Sequence, residues 1–378
     1  MIHTEHSSFI HAIFLLLLFL CIVIAGTIFK LMAGVIVPVV IAVLLAFVLE
    51  PVIRKLNTIV KIPWLLAEII VLMALVVLIS VLANMFVSGI TAIVNLYPKY
   101  EERFTKIYAT LALQFHLPFD NELSLFSNLW SSLGVRTAIQ NTAISISGNL
   151  ISFSKNAVMV LFFVFFLLAE ARSMKRKLQN PVFQKGNTNI EIAIKDIMKQ
   201  VTHYITIKAF VSLLTGFLVF LGCAIAGLQF PIIWGLLAFI LNFIPNFGSI
   251  ISGLLTTLFA VVQFYPSWER TVFIIILMIG VNISIGYVVE PKWEGKGLGL
   301  SPFFIIVSLS LWGWLWGFAG LVLAVPMTVI MKIVCENIPP LRPFAVLMGS
   351  ESFSRDFLSF FNSALRKRPA FALVLSRH

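Results

Sequence analysis

Charge is scarce in this chain: only 11% of its 378 residues are charged, with 16 Asp and Glu against 27 Lys and Arg. A soluble domain carries roughly a quarter charged residues, so water cannot be the solvent for most of this surface. The only aspartates are Asp120, Asp196 and Asp356, all outside the apolar runs, which excludes a pair of intramembrane aspartates. No HExxH, GxSxG or GxxxxGK[ST] pattern occurs. Zinc proteolysis, hydrolase chemistry and ATP use therefore lack their usual residues, and the chain reads as no enzyme.

Cysteine is nearly absent too. Cys21, Cys223 and Cys335 each lie in or beside an apolar stretch, cannot all pair, and have no metal-ligand spacing, so neither a disulfide framework nor a metal site is expected. His3, His6 and His11 read as ordinary terminal residues. No cofactor is implied.

What is abundant is hydrophobic side chain, 60% of the total, and the length allows about six to nine spans of about twenty residues. The formal charge of +11 comes from Lys and Arg in short segments between apolar runs. That placement marks topology against anionic lipid and not a nucleic-acid partner. The first run has no Lys or Arg before it and is long for a signal peptide, so it reads as a span.

The fold class expected is all-α: a polytopic transmembrane helical protein with broken or re-entrant helices and an external amphipathic insert. Residues 1–86 hold three spans: Phe9–Phe29 and Met32–Leu49, antiparallel across a tight turn at Lys30, then a third from Pro63 to about Phe86. In 87–156 charges mix with apolar residues at helical spacing (Phe104, Ile107, Leu111), as in amphipathic helices outside the bilayer. Residues 157–170 make a fourth span, and 171–207 a basic loop with an amphipathic helix. Residues 208–336 form a C-terminal membrane region with broken helices, and 337–378 a basic tail. Since short basic loops stay inside, both termini are expected in the cytoplasm and 87–156 outside. That arrangement has 231–264 entering and leaving on the outer side and 303–334 on the inner side.

Interest falls where the spans are interrupted. Asn242, Pro245, Asn246, Gly248 and Ser249 interrupt an apolar stretch, and irregular backbone at that depth is tolerated where it lines a cavity or is buried in protein. Pro326 interrupts a later one. Gly313, Gly317 and Gly320 would share one smooth face for close helix contact and self-association as a homo-oligomer. Trp312 and Trp316 would lie on a neighbouring face or anchor at the interface. Glu68, inside the third span, and Glu290, at the end of another, are candidate ion- or proton-coupling carboxylates. The alternatives are headgroup snorkelling for Glu68 and a salt bridge to Lys292 or a basic loop for Glu290. Asn282 is a further polar residue on a span.

The strings NFIPNFGSIIS at 242–252, EPKWEGKGLGLSP at 290–302 and LWGWLWGFAGLVLAVPMTVIMKI at 311–333 resemble the autoinducer-2 exporter family of permeases. The order of segments and the LEP at 49–51 support the resemblance across nearly the whole chain. It implies a bacterial inner-membrane permease exporting a small hydrophilic signalling molecule of quorum sensing, with sodium or proton antiport in some relatives. The family's Pro-x-x-Gly motif falls on Pro245 and Gly248, and its Glu-Pro motif on Glu290 and Pro291. Tyr204 to Lys208 departs from the family tendency to end in Gly-Gln, placing a basic residue instead. The expected partners are a small polar solute, the lipid bilayer and a coupling sodium ion or proton. A cation/proton antiporter and a non-transporting scaffold are the alternatives.

Overall fold

A computed structural model describes residues 23–96, 99–100, 156–170, 188–294 and 299–349, with scattered residues between 13 and 21 and between 103 and 114. Most of the expected external insert, the loop at 171–187 and the tail from 350 lie outside these residues. Among the described residues the chain is all-α and has no strand; a lone antiparallel bridge joins Leu300 and Gly349. The helices are α1 (Ala33–Ile59), α2 (Trp64–Asn95), α3 (Asn156–Glu170), α4 (Thr188–Ala226), α5 (Pro231–Leu241) and α6 (Phe247–Phe264). Then come α7 (Trp268–Ile283), a π-helix (Ser284–Val289), α8 (Glu290–Glu294), α9 (Pro302–Asn337) and α10 (Arg342–Met348). Six described helical stretches are long and apolar enough to cross a membrane. Helix is what the composition demands, because lipid offers the backbone no hydrogen-bond partner and a helix supplies its own.

Three boundaries differ from the sequence reading. Lys30 does not reverse the chain: Met32 N–H donates to Ile28 O, and Ile36 N–H to Met32 O, both at 2.9 Å, so helical bonding runs through. The Lys30 ammonium lies 4.2 Å from the centre of the Trp314 ring, a stacking that shelters one cation without a turn. The second span does not stop at Leu49, since α1 continues to Ile59. There Glu50 accepts from Arg54 at 2.5 Å, and Thr58 donates back to the Arg54 carbonyl at 2.8 Å. Charge ends the stretch that lipid can hold without ending the helix. Finally, the amphipathic helix expected within 171–207 and the start of the membrane region expected from 208 are one helix, α4. It ends where Gly227 adopts φ 72° and Leu228 N–H closes on Cys223 O at 2.9 Å, the glycine-dependent helix stop.

The helices fall into two compact units, one of 48–161 and 203–295, the other of 1–47, 162–202 and 296–378. Each contains a helical hairpin. In the first unit the Trp234 ring of α5 lies 4.9 Å from Phe259 of α6, residues that a straight helix would hold about 38 Å apart. The arms are about 16 and 27 Å long. The 11 residues of α5 thus fall short of a hydrocarbon core of about 30 Å. A Cβ on Gly235 would sit 2.7 Å from the Gly216 carbonyl and 2.7 Å from Phe220 Cβ, and one on Gly216 would meet Gly235 O at 2.7 Å. Paired glycines thus let α4 and α5 touch backbone to backbone. The core around this crossing contains Val211, Val219, Trp234, Ala238, Ala260, Ile274 and Met278.

In the second unit α9 folds back on itself. Ser308 Oγ donates to Ala324 O at 3.0 Å and also pairs with Thr328 Oγ1, whereas twenty residues of straight helix would span about 30 Å. The reversal is at Gly317, whose φ of 60° and ψ of −136° leave the helical region. Gly313, Gly317 and Gly320 therefore do not form one continuous face. Gly320 instead lies so close to the Trp312 carbonyl that no Cβ fits, so the small residues join the two arms of one hairpin. Trp312 and Trp316 are buried with their rings 4.7 Å apart, packed within their unit instead of anchored at an interface. Lys332 is buried as well and donates to Gly299 O at 3.0 Å.

Candidate functional site

The tip of the α5–α6 hairpin is where polar side chains converge. The helix stops at Leu241, and the chain turns through Asn242–Asn246, with Asn246 at φ 62° and Gly248 N–H returning to Ile244 O at 3.1 Å. A Cβ on Gly248 would collide with the Leu241 carbonyl, so the tight turn requires glycine there. The turn aims Asn242 inward: it is 5% exposed, its Nδ2 donates to Ser212 Oγ of α4 at 3.0 Å, and its Oδ1 accepts from Ser249 Oγ at 3.1 Å. Asn282 of α7 donates to the Ser249 carbonyl at 3.3 Å, and Ser252 does so at 3.0 Å. One asparagine thus links α4 to the hairpin, and a second links the hairpin to α7.

The same layer continues through charge. Lys208 stands one turn before Ser212 on α4, so the two share a face. Its ammonium, 3% exposed as a residue, is paired with Glu290 Oε1. Lys208 was read from sequence as the cytoplasmic start of a span; it lies about 18 Å along the axis from Asp196, well inside the helix. Glu290 follows the π-helix directly. Residues eight apart on an α-helix, as Asn282 and Glu290 are, lie about 80° out of phase. The wider π turn takes up part of that offset; Asn282 meets α6 and Glu290 meets α4. Phe210 and Trp293 cover the flank, with ring centres 5.2 Å apart.

Of the residues predicted from sequence, Asn242, Ser249 and Asn282 are brought together by direct hydrogen bonds, and Glu290 joins them through Lys208 and α4. Pro245 is half-buried and Asn246 exposed at the tip, while Pro291 is exposed on α8. Pro326 is buried in the second arm of α9, in the other unit. Glu68 stands apart. It is fully buried, and among the described residues neither carboxylate oxygen has a hydrogen-bond partner; nor does Trp64 Nε1, one turn earlier on α2. Sequence reasoning missed Ser212 and placed Lys208 at the cytoplasmic start of a span. The available signal was spacing: Lys208, Ser212 and Gly216 recur every four residues along α4. Among the described residues no group of three or more His, Cys, Asp or Glu gathers as metal ligands.

Residues 13–339 match the sequence profile described as AI-2E family transporter. The chain belongs to that family. This AI-2E family transporter is 31% identical over 282 residues to the protein named Putative transport protein YhhT of Escherichia coli strain K12, covering 74% of this chain and 77% of that one. It is 28% identical over 321 residues to AI-2 transport protein TqsA of the same strain, covering 84% and 90%. A Putative transport protein of Borreliella burgdorferi strain B31 is 37% identical over 200 residues; the match spans 53% of this chain and about half, 55%, of that protein. Six candidate spans and membership of this family make the AI-2E chain a multi-pass inner-membrane transporter.

Proposed function

We propose that this transporter passes a small polar solute across the membrane through the layer built by Ser212, Asn242, Ser249 and Asn282. The observation behind this reading is the hydrogen-bonded chain at the hairpin tip, where hydroxyl and amide groups stand at the broken end of a short helix. Groups of that kind can exchange their mutual hydrogen bonds for those of a neutral, hydroxyl-rich molecule at little net cost. Autoinducer-2 is the cargo to test first, because a relative covering most of the chain is named for its transport. Both termini are placed inside on the strength of the basic loops. Reconstituted protein should move autoinducer-2, and Gly248→Leu, which forces the tip open, should abolish the flux. Equal fluxes from wild type and variant would dismiss the hairpin tip as the pathway, and no flux of any small polar solute would dismiss the permease reading.

One observation favours a second reading, cation/proton exchange through Glu68. A fully buried carboxylate without a hydrogen-bond partner among the described residues is costly to keep charged, so it invites a proton or a cation. Sodium-driven proton movement in vesicles that persists undiminished in Glu68→Gln would remove this residue as the carrier.

A further inference from the structure

The ion pair between Lys208 and Glu290 carries an inference about which ions the polar layer needs. Glu290 pairs with Lys208, and one turn further along α4 Ser212 opens the neutral chain through Asn242 and Ser249. A carboxylate oxygen is a donor that hard cations select. The position is nevertheless engaged. Lys208 reaches Glu290 from α4, with its side chain 4% exposed and that of Glu290 18% exposed, so the two charges neutralise each other away from water. A buried charge has to be paired, and here the partner is covalently attached to the protein. A free monovalent cation entering beside Glu290 would meet the ammonium at close range, in surroundings that screen charge poorly.

We propose that Lys208 is a resident counter-cation, holding the place at Glu290 that a free monovalent cation would otherwise take. The layer is therefore electrically complete without sodium or potassium. Lys208 is the residue that decides this: replacing it with a neutral side chain uncovers the Glu290 carboxylate and creates a cation requirement that the natural protein lacks. The inference concerns the same layer as the solute pathway proposed above. Its readout is stability, so a failure to find transported solute would overturn the pathway and leave this proposal standing.

The test compares thermal unfolding of the purified full chain in sodium, potassium and choline chloride at equal ionic strength. Wild type should unfold at one temperature in all three. Lys208→Met should be less stable in choline chloride and be raised by sodium or potassium, by about 2 °C or more at saturation. Lys208→Gln, which keeps a hydrogen-bonding side chain, serves where the methionine variant does not fold. Lys208→Met/Glu290→Gln should lose the ion preference, since the carboxylate is gone. A folded Lys208 variant indifferent to the cation would overturn the proposal. So would a sodium-specific gain in wild type that disappears in Glu290→Gln.

Discussion

Asn242→Ala tests whether the hairpin tip is held to α4 by the side chains that meet there. The substitution removes two hydrogen bonds, at 3.0 Å to Ser212 and 3.1 Å from Ser249. Hydrogen bonds between helices in bilayers average about 0.6 kcal/mol each. A further about 1–3 kcal/mol comes from leaving a buried hydroxyl without a partner, and Ser212 is fully buried. The expected loss is about 2–4 kcal/mol. Ser212→Ala should cost less, because it breaks one of the two bonds and leaves Asn242 held by Ser249. The double variant should be less destabilised than the sum of the singles, by about 0.5–1.5 kcal/mol. Thr271→Val, which disturbs a hydroxyl bonded to Ala260 O and shares no partner with Asn242, should add to Asn242→Ala within about 0.5 kcal/mol. Reversible unfolding of wild type and these five variants in mixed micelles supplies the energies. Strict additivity for Asn242 and Ser212 would refute the bridge between hairpin and α4.

Other consequences can be checked separately. Gly235→Val should destabilise by about 1–3 kcal/mol or more, because its Cβ would lie 2.7 Å from Gly216 O, whereas Gly280→Ala, with nothing within 4 Å, should fold normally; melting curves of the two decide. Cysteines placed at Ser308 and Thr328 in a background without Cys21, Cys223 and Cys335 should form an intramolecular disulfide, visible as a reducible gel shift, and a straight α9 would forbid it. Tyr100, which packs on Phe259 and bonds the Gln229 side chain, has its hydroxyl pKa raised above the ordinary 10.0 chiefly by burial. An acid whose pKa is raised by folding lends stability below its unfolded pKa and loses it as pH climbs past that value. Stability should therefore decline above pH 10.0, and Tyr100→Phe should flatten that decline in unfolding curves taken across the alkaline range.

The sequence by itself determined the solvent and the secondary structure. Helices and closed barrels both satisfy the backbone in lipid, and long unbroken apolar runs fit the helix and not the alternating barrel strand; that conclusion needs no contact between distant residues. It also located the break at 242–249, because proline, glycine and asparagine announce one through local backbone preference. It put the next one at Pro326, which lies inside the second arm of α9, whereas the chain reverses at Gly317. Tertiary structure decided what the breaks do. Gly313, Gly317 and Gly320 have helical spacing, and it takes contacts between distant residues, such as Ser308 with Thr328, to reveal that the helix reverses among them. Charge was similarly ambiguous: Arg54 and Lys55 extend a helix that the sequence reading ended, and Lys208 turns inward instead of marking a boundary. Its role depends on Glu290, 82 residues away. Whether a lysine faces headgroups or a buried carboxylate is set by how helices are rotated against each other, and local propensity carries no record of that rotation.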